Sequence, residues 1–243
     1  MPLDVVDLRT FYHGPLGKVA RRFVGPMIRA RWTNCVGLSL LGLGYAAPYL
    51  EIFKGEAMRT LAFMPAEQGV VNWPSQGLTS SALVEPAQLP LPDSSIDRVL
   101  VIHGLEASEH PRDLLAEVWR ILTPGGRMIV VTPSRRGLWA RLDTTPFGHG
   151  QPFSRSQLRN LMRDTLFSPI HWAEALYMPP FERRLLLRLA PVFERVGRRL
   201  ALPGAGVHLV EATKQLYRPL LVGKPARQMA RQTVSAVIAA PRA

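Results

Sequence analysis

The pattern of apolar and polar positions changes rhythm several times along the chain, and each change marks an element. Val5 to Tyr12 and Leu16 to Arg31 read as two short helices, separated at Gly14-Pro15 and with a further break expected at Gly25-Pro26. Val36 to Leu41 is a strand-like apolar run, Gly42 to Tyr45 predicts a turn, and a short helix follows to about Phe53. Strands are expected at Thr60 to Met64 and at Ala82 to Val84, before a Pro-rich connection. Asp97 to His103 and Arg127 to Thr132 have the continuous apolar runs of strands buried on both faces. Between them, His110 to Leu122 sets Leu114, Leu115, Val118 and Leu122 on one helix face, and Thr123 to Gly126 ends that helix. Another helix begins at Ser154, which Ser154 and Gln157 are placed to cap. Phe181 to Leu200 is a basic amphipathic stretch broken at Pro191, and Val207 to Thr213 predicts a closing strand.

Strand and helix thus alternate over about 130 residues, the pattern of a doubly wound parallel sheet whose ligands bind at the carboxyl ends of the strands. The expected fold is α/β: a mostly parallel, Rossmann-like sheet with a closing antiparallel strand, N-terminal helices, and a helical insertion before the last strand. The expected organisation is an N-terminal helical appendage or lid at 1–34, a main domain at 35–218 with its insertion at about 179–202, and a basic, Pro-containing tail at 219–243.

Composition narrows the class. Among 243 residues, 47% are hydrophobic and 20% charged, enough apolar surface for a sizeable core. The lone Cys35 excludes an internal disulfide or a Cys-rich zinc site, no metal framework is visible, and a reducing compartment fits. The opening residues do not read as a secretory signal. Trp32 to Leu50 is uncharged and of membrane length, but Asn34, Gly37, Gly42, Gly44 and Pro48 suit strand, turn and helix better than a lipid-facing span. A cytoplasmic location is expected.

Charge adds a possible partner. The net +12 divides into +4 over residues 1–34, −5 over 35–110 and +13 over 111–243, so the ends are basic and the middle acidic. Such ends attract phosphates, anionic lipid or an acidic protein face. Residues 181–200 are the candidate segment for docking a protein partner or a membrane surface.

Gly42-Leu43-Gly44 after an apolar strand is a backbone suited to close approach of a ligand. Downstream lie Leu89-Pro90-Leu91-Pro92-Asp93-Ser94-Ser95-Ile96-Asp97-Arg98-Val99, then His103-Gly104-Leu105-Glu106, then Glu117-Val118-Trp119-Arg120-Ile121-Leu122-Thr123-Pro124-Gly125-Gly126-Arg127. In this order they resemble class I S-adenosylmethionine-dependent methyltransferases of the small-molecule branch, over roughly residues 36–133. The resemblance implies that Gly42 and Gly44 approach the cofactor's methionine and ribose, that Glu85 and Pro86 meet its adenine, and that His103 and Leu105 line the cofactor and substrate face. It also implies that Met64 occupies the ribose-binding position at the end of the second strand.

The cofactor motifs are degenerate. Leu40 stands where the family carries an acid before the glycines, Ala46 at the third glycine, and Met64 in place of the ribose-binding Asp or Glu; Glu67, three residues on, is an alternative acceptor. If Met64 faces the pocket, Met64→Asp should strengthen cofactor binding; if it packs in the core, the same change should destabilise the fold.

The candidate catalytic bases are His103 and His149, joined by Tyr12 or His13 if the N-terminal helices fold over the pocket. His149 lies in Thr145 to Ser154, a glycine-flanked run where substrate loops sit in this architecture. Three functions follow from the resemblance, in descending order: methyl transfer from S-adenosylmethionine to a small or lipid-like acceptor; a catalytically degenerate protein serving as a binding or regulatory subunit; and a nucleic-acid methyltransferase, placed last for want of an RNA-binding motif or a base-methylase tetrapeptide.

Overall fold

Asp4 opens the first helix, α1 (Val5–His13), by accepting a hydrogen bond from the Val6 amide at 2.8 Å, which satisfies one of the unpaired first-turn donors. The computed structural model describes residues 3–200 and 202–216, so the tail expected at 219–243 lies outside the described residues. In α2 (Pro15–Arg31), Leu16, Ala20, Val24 and Ile28 recur every four residues and are all buried. The break expected at Gly25-Pro26 does not occur. Pro26 and Arg22, whose carbonyl loses its helical partner to the proline, both face solvent, while Val24 and Ile28 pin the helix on either side.

The sheet has seven strands: β1 (Ser39–Gly44), β2 (Arg59–Pro65), β3 (Ser81–Val84), β4 (Ile96–Ile102), β5 (Leu122–Pro133), β6 (Phe167–Ala175) and β7 (Val207–Lys214), in the order β3-β2-β1-β4-β5-β7-β6. The first five in this order run parallel; β7 is antiparallel to β5 and β6 antiparallel to β7. The Rossmann-like, mostly parallel architecture is therefore present with β7 as its one reversed strand, as expected, because β6, antiparallel to β7, runs in the direction of β1 to β5. The additional strand, β6, lies at the sheet edge and carries Pro169 at an irregularity in its pairing, the place where a sheet tolerates a residue without an amide hydrogen.

Four further helices are α3 (Ala47–Leu50), α4 (Pro111–Ile121), α5 (Arg155–Asp164) and α6 (Arg184–Arg199). Ser154 and Gln157 form the reciprocal cap of α5, as expected. α6 begins three residues later than expected and runs through Pro191 unbroken. Its buried side is short: Ala190, Glu194 and Gly197, with Glu194 accepting from the Tyr177 amide at 3.1 Å and Gly197 packed against the Tyr177 ring.

The core has two halves, one on each face of the sheet. One joins Leu8, Tyr12, Val24 and Ile28 of α1 and α2 to Leu40, Tyr45, Met64 and Ile102. The other joins Leu114, Val118 and Leu158 of α4 and α5 to Leu43, Val101, Leu105 and Val130. The N-terminal helices thus share the main core and set α1 across the carboxyl ends of the parallel strands.

Candidate functional site at the carboxyl ends of the parallel strands

Gly42 and Gly44 lie inside β1, paired with Leu100 and Ile102 of β4, and not in the turn expected for them; the chain turns at Tyr45-Ala46. Their glycine character serves packing. A side chain at Gly42 would meet Leu50 and Ala46, so this position lets α3 close down on β1. Gly44 has φ +80°, and a methyl there would stand 2.3 Å from the Ile102 carbonyl oxygen and 2.8 Å from the Gly104 amide. The side on which a Cβ would stand thus faces the backbone after β4.

His103 follows directly on β4. Its φ of +53° is a costly conformation for a residue with a side chain. Its carbonyl accepts from Gln68 Nε2 at 2.6 Å, and its ring is engaged on both nitrogens: Nε2 lies 2.8 Å from the Tyr12 hydroxyl and Nδ1 3.2 Å from Glu106 Oε1. Burial, then the neighbouring Tyr49, push the Tyr12 hydroxyl far above the usual phenol range, so it stays protonated and donates to Nε2. That assigns the imidazole proton to Nδ1, where it is donated to Glu106 Oε1. Tyr12 also stacks on Tyr45 with ring centres 5.5 Å apart, and Phe147 lies 4.7 Å from the His103 ring.

Two clefts adjoin this chain of hydrogen bonds. One, of about 340 Å³, runs between Leu3 and Leu8 on one side and Pro146, His149 and Gln151 on the other, over His103 and Glu106. The second, of about 240 Å³, lies at the ends of β2 and β3 among Glu67, Glu85, Pro86, Ser108 and Glu109. They share Glu67, Gln68, Ala107, Ser108 and Glu109 as a common wall. Two buried polar atoms at this wall have no partner, Gln68 Oε1 and Glu106 Oε2. Buried acceptors are seldom left unmatched, and both await a donor.

Glu85, Pro86, His103 and His149 therefore come together around the clefts. Met64 and Leu105 do not. Met64 is 1% exposed within the core, its sulfur 3.4 Å from the Val71 amide, and Leu105 packs into the opposite half of the core from His103. His149 lies on the larger cleft with Nε2 held by the Asp143 carbonyl at 2.9 Å. Its loop is tied down where the Gln151 amide donates to the Glu106 carbonyl at 2.8 Å. In the sequence reading Glu106 was part of the motif after the fourth strand with no role of its own, and Gln68 had no part. Glu106 had a visible signal, since three residues separate it from His103; Gln68 had none.

A family model described as a methyltransferase domain matches residues 42–130. Over 67 residues the chain is 37% identical to the demethylmenaquinone methyltransferase of Deinococcus radiodurans, covering 27% of this chain and 28% of that one. Over 54 residues it is 43% identical to the ubiquinone/menaquinone biosynthesis C-methyltransferase UbiE of Bordetella avium, covering 22% of this chain and 21% of that one. The aligned stretches thus span less than a third of the length of these curated relatives. A solved methyltransferase of Thermotoga maritima, described as a possible histamine N-methyltransferase, superposes with a TM-score of 0.60 at 16% identity, covering 87% of this chain and 95% of that one; this is a likeness of fold. Residues 42–130 are thus similar to a methyltransferase domain, and the fold is that of the class I S-adenosylmethionine-dependent methyltransferases.

The residues present fit that family's cofactor, although its usual carboxylates are missing at Leu40 and Met64. S-adenosylmethionine carries a sulfonium and an ammonium against one carboxylate, and the smaller cleft offers Glu67, Glu85 and Glu109 with the unmatched Gln68 oxygen at its wall. Glu67 is exposed on the turn after β2 and borders both clefts, so a carboxylate stands three residues beyond the family's ribose-binding position.

Proposed function

We propose that this protein transfers a methyl group from S-adenosylmethionine to a small apolar acceptor that gives up a proton. The observation that carries the reading is the buried chain Tyr12–His103–Glu106, which leaves one unmatched carboxylate oxygen beside a 340 Å³ cleft. Glu67, Glu85 and Glu109 would hold the cofactor in the smaller cleft, and its sulfonium, when bound, supplies an electrophilic methyl. Leu3, Leu8 and Pro146 would hold the acceptor's apolar body in the larger cleft. Glu106 Oε2 would take the proton that the acceptor loses on methylation. His103 Nδ1–H steadies the other carboxylate oxygen, and the Tyr12 hydroxyl fixes the imidazole tautomer. The two relatives named for quinone biosynthesis support an acceptor with an activated ring.

Calorimetric titration of the whole chain with S-adenosylmethionine and with its demethylated product tests the cofactor. The cationic cofactor should bind tighter than its neutral product, and Glu67→Gln with Glu109→Gln should narrow that gap. Glu106→Gln should lower kcat by roughly 10²- to 10⁴-fold while leaving cofactor affinity unchanged. If neither ligand binds at millimolar concentration, the reading fails. The apolar Leu40 and Met64 then favour the second reading, a methyltransferase fold kept for binding or regulation.

A further inference from the structure

α6 turns an unusual face outward. Leu185, Leu189, Val192 and Val196 are 68%, 39%, 50% and 42% exposed, flanked by Phe181 and Leu200 at 49% and 64%. At about 100° per residue these four helical positions fall within an arc of about 60°, so they form one continuous stripe roughly 17 Å long. Directly beside it on the outward side runs a second stripe, Arg184, Arg188, Arg195 and Arg199, all exposed and none paired with an acid among the described residues. The only carboxylate of the helix, Glu194, is turned inward and buried.

A helix that merely covers a core shows the reverse arrangement, with its apolar stripe inward. Here the inward side holds Ala190, Glu194 and Gly197 with the half-buried Leu187 and Phe193 against the core, while a second apolar row, Leu185, Leu189, Val192 and Val196, points away from the protein. Paired apolar and arginine stripes on one outward face match an interfacial helix lying in the plane of an anionic bilayer, its leucines at the acyl boundary and its guanidiniums at the phosphates. Other occupants fit less well. A second copy related by a two-fold axis would set one arginine row against another. Residues 217–243 carry five basic residues and no acid, so they are repelled by the same row.

The geometry points to α6 as a docking surface for an anionic membrane. α6 packs against α2 and β6, and Glu182 before it lies against Gly14 at the corner between α1 and α2. α6 therefore lies beside α2 and, through Glu182, near the end of α1, the helix that contributes Leu8 to the wall of the larger cleft.

Flotation of the full chain with phosphatidylcholine vesicles, with and without about 30% phosphatidylglycerol, tests the proposal. Binding should require the anionic lipid and weaken in about 0.5 M salt. Leu189→Ser with Val192→Ser should lower partitioning about thirtyfold, as should Arg188→Gln with Arg195→Gln. All four side chains are exposed, so thermal unfolding should be unchanged; if the serine variant does not fold, the arginine variant gives the same decision. The proposal is overturned if the chain ignores anionic vesicles at low salt. It is equally overturned if both variants bind as the parent does, which would assign binding to other basic segments. Light scattering that shows a dimer which the stripe variant dissociates would overturn it in favour of a second copy.

Discussion

A side chain at Gly44 would have to displace the Ile102 carbonyl and the Gly104 amide, and would sit at a positive φ besides. Gly44→Ala should therefore cost about 3 kcal/mol or more of stability, seen as a fall in the denaturant midpoint, whether or not cofactor is present. Loss of cofactor affinity with an unchanged midpoint would return this glycine to the binding site. Met64 poses the parallel question at the end of β2. Its side chain is enclosed among the residues that α1 and α2 bury, so Met64→Asp should destabilise the protein by several kcal/mol. Met64→Leu, of similar volume, should cost less than about 1.5 kcal/mol in the same unfolding experiment. A stable Met64→Asp protein with tighter cofactor binding would contradict the burial described here and restore the ribose role.

The elements differ in how much of their stability is local. α5 owes its start to a reciprocal cap, in which Ser154 Oγ accepts from the Gln157 amide at 3.2 Å and Gln157 Oε1 accepts from the Ser154 amide at 2.9 Å. Ser154→Ala should cost about 1 kcal/mol, measured by chemical denaturation. This cap was legible in the sequence because it is complete within four residues. β4 and β5 were legible for a related reason, since strands buried on both faces are apolar throughout. α2 and α6 were read as broken because a proline inside a helix is unfavourable taken alone; packing at Val24 and Ile28, and at Ala190 and Gly197, overrides that local preference. β6 escaped notice because an edge strand is only half buried and this one contains a proline. In the site, His103 was reached through the family resemblance, which places it at the end of the fourth strand. Its bond to Tyr12 joins residues 91 apart in the chain, and no local pattern reports such a contact.

At the scale of the whole molecule, charge and function separate in space. The chain is strongly basic, yet Glu67, Glu85, Glu106 and Glu109 gather around the clefts, so a ligand meets acid there within a basic body. Access to that pocket belongs to α1. Leu3 and Leu8 form one wall of the larger cleft, the Val5 amide is tied to the Gln68 carbonyl at 2.7 Å, and Tyr12 is tied to His103 at 2.8 Å. If α1 closes over a bound molecule, that molecule should leave when the helix lifts. Its residence time should then follow the rate of local opening and not the strength of its own contacts. Tyr12→Phe removes one tie, worth about 1 kcal/mol, and should speed release roughly fivefold in stopped-flow chase experiments. Amide hydrogen exchange over residues 5–13 should quicken in parallel, and release that stays constant while exchange quickens would show a second way out. In this protein the helix nearest the amino terminus would act as the clock of the catalytic cycle.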